Sequence, residues 1–146
     1  MNSTWEKFGA ASIDISGKAD KTDTVLSTTL SRGRKSNTTV GTGSFAFGSD
    51  VEASGIYSHV EGSVSKATNR FAHAEGVATT ASGECSHAEG YQTQASGEYS
   101  HSEGNHTLAS GANSHTEGFQ TIASGVNAHA EGDRTKAEGI NAHAEG

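Results

Sequence analysis

From Ser58 to the end of the chain, small and polar residues alternate in a pattern that repeats every fourteen residues. Each repeat opens on a five-residue phrase of the type Ser-His-Ala-Glu-Gly, and a looser phrase of the type x-x-Thr-x-Ala-Ser-Gly follows it. Copies of the first phrase begin at positions 58, 72, 86, 100, 114, 128 and 142. A short fixed period is typical of solenoids, in which no repeat buries a face alone and successive coils stack.

Alternation with a period of two, ended by glycine, predicts two short β-strands and two tight turns per coil rather than a helix. In the first strand, Ser86 and Ala88 are predicted to point to one face, and His87 and Glu89 to the other. The small residues of both strands then meet inside a narrow roll. The predicted fold is therefore all-β, a parallel β-roll solenoid with 14-residue coils.

Glycine and threonine have predicted places in this roll. Glycines such as Gly90 and Gly97 are expected to supply the positive φ angles that sharp corners need. The chain has no proline, which suits strands whose N–H groups donate to neighbouring coils. The threonine of the second phrase, Thr93 in one repeat, is predicted to point inward. This orientation disfavours an ice-binding surface built from the recurring Thr-x-Ala.

One outer face repeats the same His and Glu in all seven copies of the first phrase, whereas the other varies from coil to coil. An Ala/Ser/Thr interior gains only about 25 cal/mol per Å² of buried apolar surface, against a backbone entropy cost of about 1–2 kcal/mol per residue. We therefore expect the roll to oligomerise through this repeated surface, the His/Glu face. Phe45 and Phe47 hold the equivalent positions in the first coil, and two adjacent aromatics favour an interface over solvent.

The phrase Ser44-Phe-Ala-Phe-Gly48, followed by the SHAEG phrases, resembles the S-V-A-I-G repeat of YadA-like heads, the haemagglutinin-type repeats of trimeric autotransporter adhesins. The resemblance covers about residues 39–146. It implies a homotrimer of left-handed parallel β-rolls packed around a threefold axis, with the V and I positions of the motif facing that axis. The residues that it places on the axis are Phe45, Phe47, His59, Glu61, His73, Glu75, His87, Glu89, His101, Glu103, His115, Glu117, His129, Glu131, His143 and Glu145.

The SHAEG variant, together with the segment from Lys18 to Lys35, resembles repeat regions of tail fibre and appendage proteins from phages and prophages of Gram-positive bacteria. This resemblance implies a structural shaft or spacer in the virion tail, synthesised in the bacterial cytoplasm, that presents a distal receptor-binding part. The alternative is an adhesin head on the bacterial cell surface. Such a head would bind a host glycan or protein through the variable outer face, including Tyr91, Asn105, His106 and Phe119.

Residues 1–38 lack the repeat and are predicted to form a leader or adaptor that attaches the roll to other virion or appendage proteins. Helix, strand and irregular structure all remain compatible with its sequence. Residues 39–146 are predicted to form the β-roll domain, which we expect to be truncated after Gly146. Met1 to Gly17 shows no secretory signal, and no stretch approaches the roughly 20 apolar residues of a membrane span.

The net charge of −7 is uneven, with +2 over residues 1–43 and −9 over residues 44–146. The acidic roll is therefore predicted to repel nucleic acid and anionic membranes, so neither is expected as a partner. The single cysteine, Cys85, is expected to be a free thiol at a corner of the roll.

Ser86, His87 and Glu89 lie within four residues, but the predicted alternation places the serine on the opposite face from the other two. No Ser-His-acid relay can then form, and we expect no enzymatic activity.

The His/Glu face has three possible interpretations. Each histidine could donate hydrogen bonds to a glutamate of its own or a neighbouring chain. Rings of three histidines could instead hold a divalent metal such as zinc or nickel on the axis. Ordered water or bound anions are the third possibility, and no other cofactor is expected. Ionised His–Glu pairs would raise the His pKa and lower the Glu pKa on folding, with greater stability near pH 6 than at alkaline pH.

Overall fold

The computed structural model describes residues 30–34 and 41–146, and the regular structure of these residues is entirely β-strand. The strands are β1 (Leu30–Arg34), β2 (Phe45–Ala53), β3 (His59–Ser63), β4 (Lys66–Ala67), β5 (His73–Val77), β6 (Thr80–Ala81), β7 (His87–Tyr91), β8 (Gln94–Ala95), β9 (His101–Asn105), β10 (Leu108–Ala109), β11 (His115–Thr116), β12 (Ile122–Ala123), β13 (His129–Glu131), β14 (Lys136–Ala137) and β15 (His143–Glu145). Among the described residues, none forms a helix with the length and apolarity needed to cross a bilayer.

Two parallel ladders start from β2 and run along the chain. The first ladder continues through β3, β5, β7, β9, β11, β13 and β15, and the second through the even-numbered strands β4 to β14. Each strand pairs with the strand one coil further on, so that His87 lies opposite His101 and Gln94 opposite Leu108. The predicted β-solenoid of 14-residue coils is therefore confirmed. The strands β4 to β14 of the second ladder are only two residues long.

The interior consists of small side chains, as the alternation predicted. Ser86 and Ala88 are at most 1% exposed, and Thr93 and Ala95 are fully buried. The largest interior side chains are Val51 and other β-branched residues. Because only such compact residues fill the space between the two ladders, the roll is narrow.

Most buried serines of the first phrase close the preceding turn. The Ser86 hydroxyl donates to the carbonyl oxygen of Gly83 at 2.7 Å. Ser100 donates in the same way to the Gly97 carbonyl at 2.7 Å. The serine at the start of the repeat therefore stabilises a corner, which explains why a small hydroxyl residue recurs there.

Of the two glycines predicted to have a positive φ at a corner, only one does. Gly90 has a φ of 109°, as expected. Gly97 lies outside the positive-φ region, so that prediction was wrong. Its role is steric, because a Cβ there would lie 2.0 Å from the carbonyl oxygen of Gly111 in the next coil. The positive φ at this corner falls on the residue two positions later, with 58° at Tyr99 and 55° at Cys85.

Strand β1 belongs to the predicted leader and pairs in parallel with β2, with Leu30 opposite Phe45. A register shift interrupts the pairing between Arg32 and Arg34. β1 therefore adds one strand to the edge of the first ladder. The rest of the 1–38 leader lies outside the described residues, and its attachment role stays a prediction.

Candidate functional site: the His/Glu face

The seven histidines of the His/Glu face form one continuous stack on the outside of the first ladder. Neighbouring rings are 4.5–5.0 Å apart between centroids and nearly parallel, with interplanar angles of 1–23°. This spacing follows from the separation of about 4.8 Å between hydrogen-bonded strands. Phe45 extends the stack at its first coil, with its ring edge-on to His59 at 4.7 Å. The sequence therefore correctly placed these side chains in one column.

Each glutamate lies beside the histidine column, but without a hydrogen bond to it. The distance from histidine Nε2 to glutamate Oε2 is 3.5 Å for His73 and Glu75, and 3.6 Å for His87 and Glu89. Six of the seven Nε2 atoms are buried and lack a hydrogen-bond partner within the chain, at His59, His73, His87, His101, His115 and His129. The predicted His-to-Glu hydrogen bonds are thus not made inside one chain, and bonds between chains stay a prediction.

The side chains of this face are half-buried in a single chain. Where His and Glu approach each other, the histidines are 33–43% exposed and the glutamates 32–48%. Phe47, at the head of the glutamate column, is 46% exposed. The face is thus a continuous surface in which most Nε2 atoms are covered while the imidazole edges and the carboxylates remain partly open.

Burial lowers the pKa of His73, His87, His101 and His115, and the neighbouring histidines of the stack lower it further. Nearby carboxylates raise it, but by less than these two effects together. The expectation of a raised His pKa was therefore wrong for these four residues. An imidazolium in this stack loses hydration and faces like charges above and below, so the neutral ring is favoured.

Carboxyls of neighbouring coils lie close enough along their column to share protons, and this sharing shifts their pKa values. A hydrogen bond with Glu89, then burial and a second hydrogen bond with Glu117, raise the pKa of Glu103 to about 7. The hydrogen bond with Glu117 also raises the pKa of Glu131. Hydrogen bonds from Glu131 and Glu103 lower the pKa of Glu117. The expected lowering therefore applies to Glu117 but was wrong for Glu103 and Glu131, because stacked carboxyls share protons.

An open groove follows the glutamate column. It is lined by Glu75, Glu89, Gly90, Glu103, Gly104, Glu117, Gly118 and Gly132. The glycines leave the floor of the groove free of side chains, and their positive φ angles of 101–109° turn the chain away from the face. Carboxylates therefore line a channel that runs along the roll.

The catalytic combination considered from the sequence is not assembled. Ser86 is 1% exposed and its hydroxyl is committed to the Gly83 carbonyl. His87 and Glu89 lie on the outer face, so the predicted separation of the serine from the other two is confirmed.

Neighbouring coils bring histidine and glutamate donors together within one chain. Five groups of three residues have one ligand atom each within 4.8 Å of the others: His73, Glu75 and His87; His87, Glu89 and His101; Glu103, His115 and Glu117; Glu117, His129 and Glu131; and Glu131, His143 and Glu145. Sequence reasoning considered only rings of histidines between chains and missed these groups. The signal was the period itself, because residues fourteen positions apart are neighbours in the ladder.

A second group of side chains lies where the first-ladder strands end, with Tyr91 of β7 opposite Asn105 of β9. The Tyr91 ring lies 5.6 Å from that of His106, and His106 lies 6.4 Å from Phe119. The guanidinium of Arg134 sits over the Phe119 ring at 5.5 Å. His106 is also hydrogen-bonded to Asn105. The four residues suggested for the adhesin alternative are therefore brought together on one surface.

No protein-family model matches the chain, and no curated protein matches it either. The resemblance to YadA-like heads thus rests on the repeat phrases alone. The coil architecture and the His/Glu face carry the functional argument.

Proposed function

We propose that this chain is the shaft or spacer of a homotrimeric phage tail fibre or similar surface appendage. Three left-handed β-rolls pack around an axis lined by the His/Glu face. The observation that carries the proposal is the unbroken column of half-buried side chains, two phenylalanines followed by seven His/Glu pairs, on one side of the roll. Such a uniform surface is suited to self-association, because equivalent residues meet in every layer.

The unpartnered imidazole nitrogens support association through this face. A buried polar atom without a hydrogen bond costs about 1–3 kcal/mol, and six Nε2 atoms of the column are in this position within one chain. A turn of these rings on association would let a carboxylate of a neighbouring chain accept from such a nitrogen. Phe47 is 46% exposed in one chain, and association would also remove part of its apolar surface from water.

The uniform coils support the role of a spacer. Each coil contacts only its neighbours, so length grows with repeat number while the cross-section stays constant. Backbone hydrogen bonds run from coil to coil, as in His87 N–H to the Ser100 carbonyl at 2.9 Å. A rod of this kind separates an attachment end, which we assign to the leader, from a distal receptor-binding part. The proposed location is the virion tail, with the bacterial cell surface as the alternative.

The test compares two histidines on different surfaces. His101→Glu adds a carboxylate to the middle of the proposed axis, beside Glu89 and Glu103, whereas His106→Glu adds the same charge at an exposed position outside the column. Size-exclusion chromatography with light scattering should give a trimer for the wild type and for His106→Glu, and a dissociated species for His101→Glu. A wild-type monomer, or equal dissociation of both variants, would refute the proposal.

The adhesin head remains a second candidate because of the aromatic group around Phe119. Aromatic rings next to a cationic side chain offer stacking and hydrogen-bonding groups to a glycan or protein. Binding of the whole chain to a glycan array, lost in Tyr91→Ala and Phe119→Ala but kept in Phe47→Glu, would favour this function. Absence of binding to glycans and to host cells would favour the spacer.

A further inference from the structure

We propose that the His/Glu face binds divalent transition-metal ions of the zinc class between neighbouring coils of a single chain. The two sites with the most imidazole are formed by His73, Glu75 and His87, and by His87, Glu89 and His101. In each, two stacked histidines and one carboxylate have one ligand atom apiece within 4.8 Å of the others. The sites need no second chain, so this proposal is independent of the trimer.

The distance from imidazole to carboxylate in each group is close to what a tetrahedral ion requires. Zinc lies about 2.0–2.2 Å from nitrogen and carboxylate oxygen ligands, which places two ligand atoms of a tetrahedron about 3.3 Å apart. Nε2 of His73 is 3.5 Å from Oε2 of Glu75, and the His87–Glu89 pair is at 3.6 Å. The third ligand atom lies within 4.8 Å of both. The two imidazoles of each group are stacked with their centroids 4.5 and 4.8 Å apart, so one ring must tilt toward its neighbour to complete a three-residue site.

The hydrogen-bonding state of the histidines is a separate observation in favour of a metal. Nε2 of His73, His87 and His101 is buried and has no hydrogen-bond partner. A ring nitrogen in this position can donate a hydrogen bond, accept one, or give its lone pair to a metal. The carboxylates of Glu75 and Glu89 lie near enough to serve as ligands but make no hydrogen bond to the imidazole nitrogens.

The donor set selects the class of ion. Mixed nitrogen and oxygen ligands suit zinc, nickel and other first-row divalent ions, whereas calcium and magnesium prefer oxygen alone. The three later groups contain one histidine and two glutamates each. We therefore expect zinc to bind first at the two groups that share His87.

Shared residues limit the number of ions. His87 belongs to the first two groups, Glu117 to the third and fourth, and Glu131 to the fourth and fifth. One Nε2 of His87 cannot bind two ions, so the two histidine-rich groups hold one ion per chain between them, whereas a shared glutamate has two oxygens. Histidine rings on a threefold axis would instead share each ion among three chains.

The experiment uses the full chain, stripped of metal with a chelator and dialysed against zinc, with bound metal counted by mass spectrometry. His87→Gln removes a ligand from both histidine-rich groups and should lower the zinc content by one ion per chain. His106→Gln is the matched control, because His106 is the one histidine outside the column and is exposed. It should leave the content unchanged. Circular dichroism confirms that each variant folds.

A second variant distinguishes this arrangement from histidine rings. Glu75→Gln with Glu89→Gln removes the carboxylate from both histidine-rich groups and keeps every histidine. The proposal requires zinc affinity there to fall by at least about tenfold, the loss typical even of outer-shell changes. Cobalt absorption in the visible range reports the same sites independently.

Three results would overturn the proposal. The first is an absence of stoichiometric zinc, and the second is an equal loss of zinc in His87→Gln and His106→Gln. The third is unchanged affinity in the Glu75→Gln/Glu89→Gln variant together with a loss of only one third of an ion per chain in His87→Gln.

Discussion

Replacing Gly97 with alanine would place a methyl group between two coils of the roll. The added Cβ would lie 2.0 Å from the carbonyl oxygen of Gly111 and 2.6 Å from its carbonyl carbon. Gly97 has no positive φ, so alanine suffers no backbone strain of its own there. The substitution therefore isolates the steric requirement of coil stacking.

The size of the effect follows from the hydrogen bonds that the methyl group would disturb. An ordinary van der Waals contact begins at 3.4 Å, so the coils must separate by about 1.4 Å at this point. The N–H groups of Ser96 and Gly97 donate to the Ala109 carbonyl at 2.9 and 3.2 Å, and both bonds would stretch beyond bonding distance. With about 1 kcal/mol for each lost bond and about 1–3 kcal/mol for the unsatisfied groups, we expect a loss of roughly 3–5 kcal/mol.

The control is Ser96→Ala, at the exposed residue directly before Gly97. Its backbone N–H and the spacing of the coils stay as they are. Chemical unfolding followed by far-ultraviolet circular dichroism should show the large loss for Gly97→Ala and a change within about 1 kcal/mol for Ser96→Ala. Wild-type stability of Gly97→Ala, or equal losses in both variants, would refute the stacking argument.

Further predictions concern the interior and the titration of the face. Thr93 has a buried hydroxyl without a partner, so Thr93→Val should keep or raise stability, by up to about 2 kcal/mol. Thr107 hydrogen-bonds to Ser102 and to the Glu103 carbonyl, so Thr107→Val should lower stability by about 1–2 kcal/mol in the same unfolding assay. Equal changes of stability in the two variants would contradict the difference between a partnered Thr107 hydroxyl and an unpartnered Thr93 hydroxyl. The lowered His pKa values mean that the unfolded chain binds more protons than the folded chain below the unfolded pKa of 6.5. The melting temperature of the chelator-treated protein should therefore fall below pH 6 and stay level from pH 7.5 to 9. The raised pKa of Glu103, about 7, has the opposite effect on stability, because the folded chain binds more protons than the unfolded chain between the unfolded pKa of this group and pH 7. Glu103→Gln should therefore make the fall of melting temperature in acid steeper. A melting temperature that falls only at alkaline pH would contradict these directions.

The repeat period was enough to predict which residues face inward and which form columns. Ser86 and His87 separate because strand alternation is a local property of the backbone. Gly97 could not be assigned correctly, because the reason for its small size is the Gly111 carbonyl, fourteen residues away in another coil. The same applies to Tyr99, whose positive φ no residue preference would indicate.

The chemistry of the His/Glu face was harder to predict than its position. The sequence suggested ion pairs between His87 and Glu89, yet burial and the neighbouring His101 outweigh the carboxylates in setting the pKa of His87. The balance depends on how far each ring is removed from water, and that depends on side-chain packing. Likewise, the hydrogen bond between Glu103 and Glu89 depends on rotamers that a period of fourteen residues does not determine.

The most direct test of the central claim, assembly through the His/Glu face, is the mass of the whole chain in solution. Each chain weighs 14.9 kDa, and sedimentation equilibrium of the chelator-treated protein should give a single species of about three times that mass, about 45 kDa, at every loading concentration. A mass of 14.9 kDa across the same range would contradict the account.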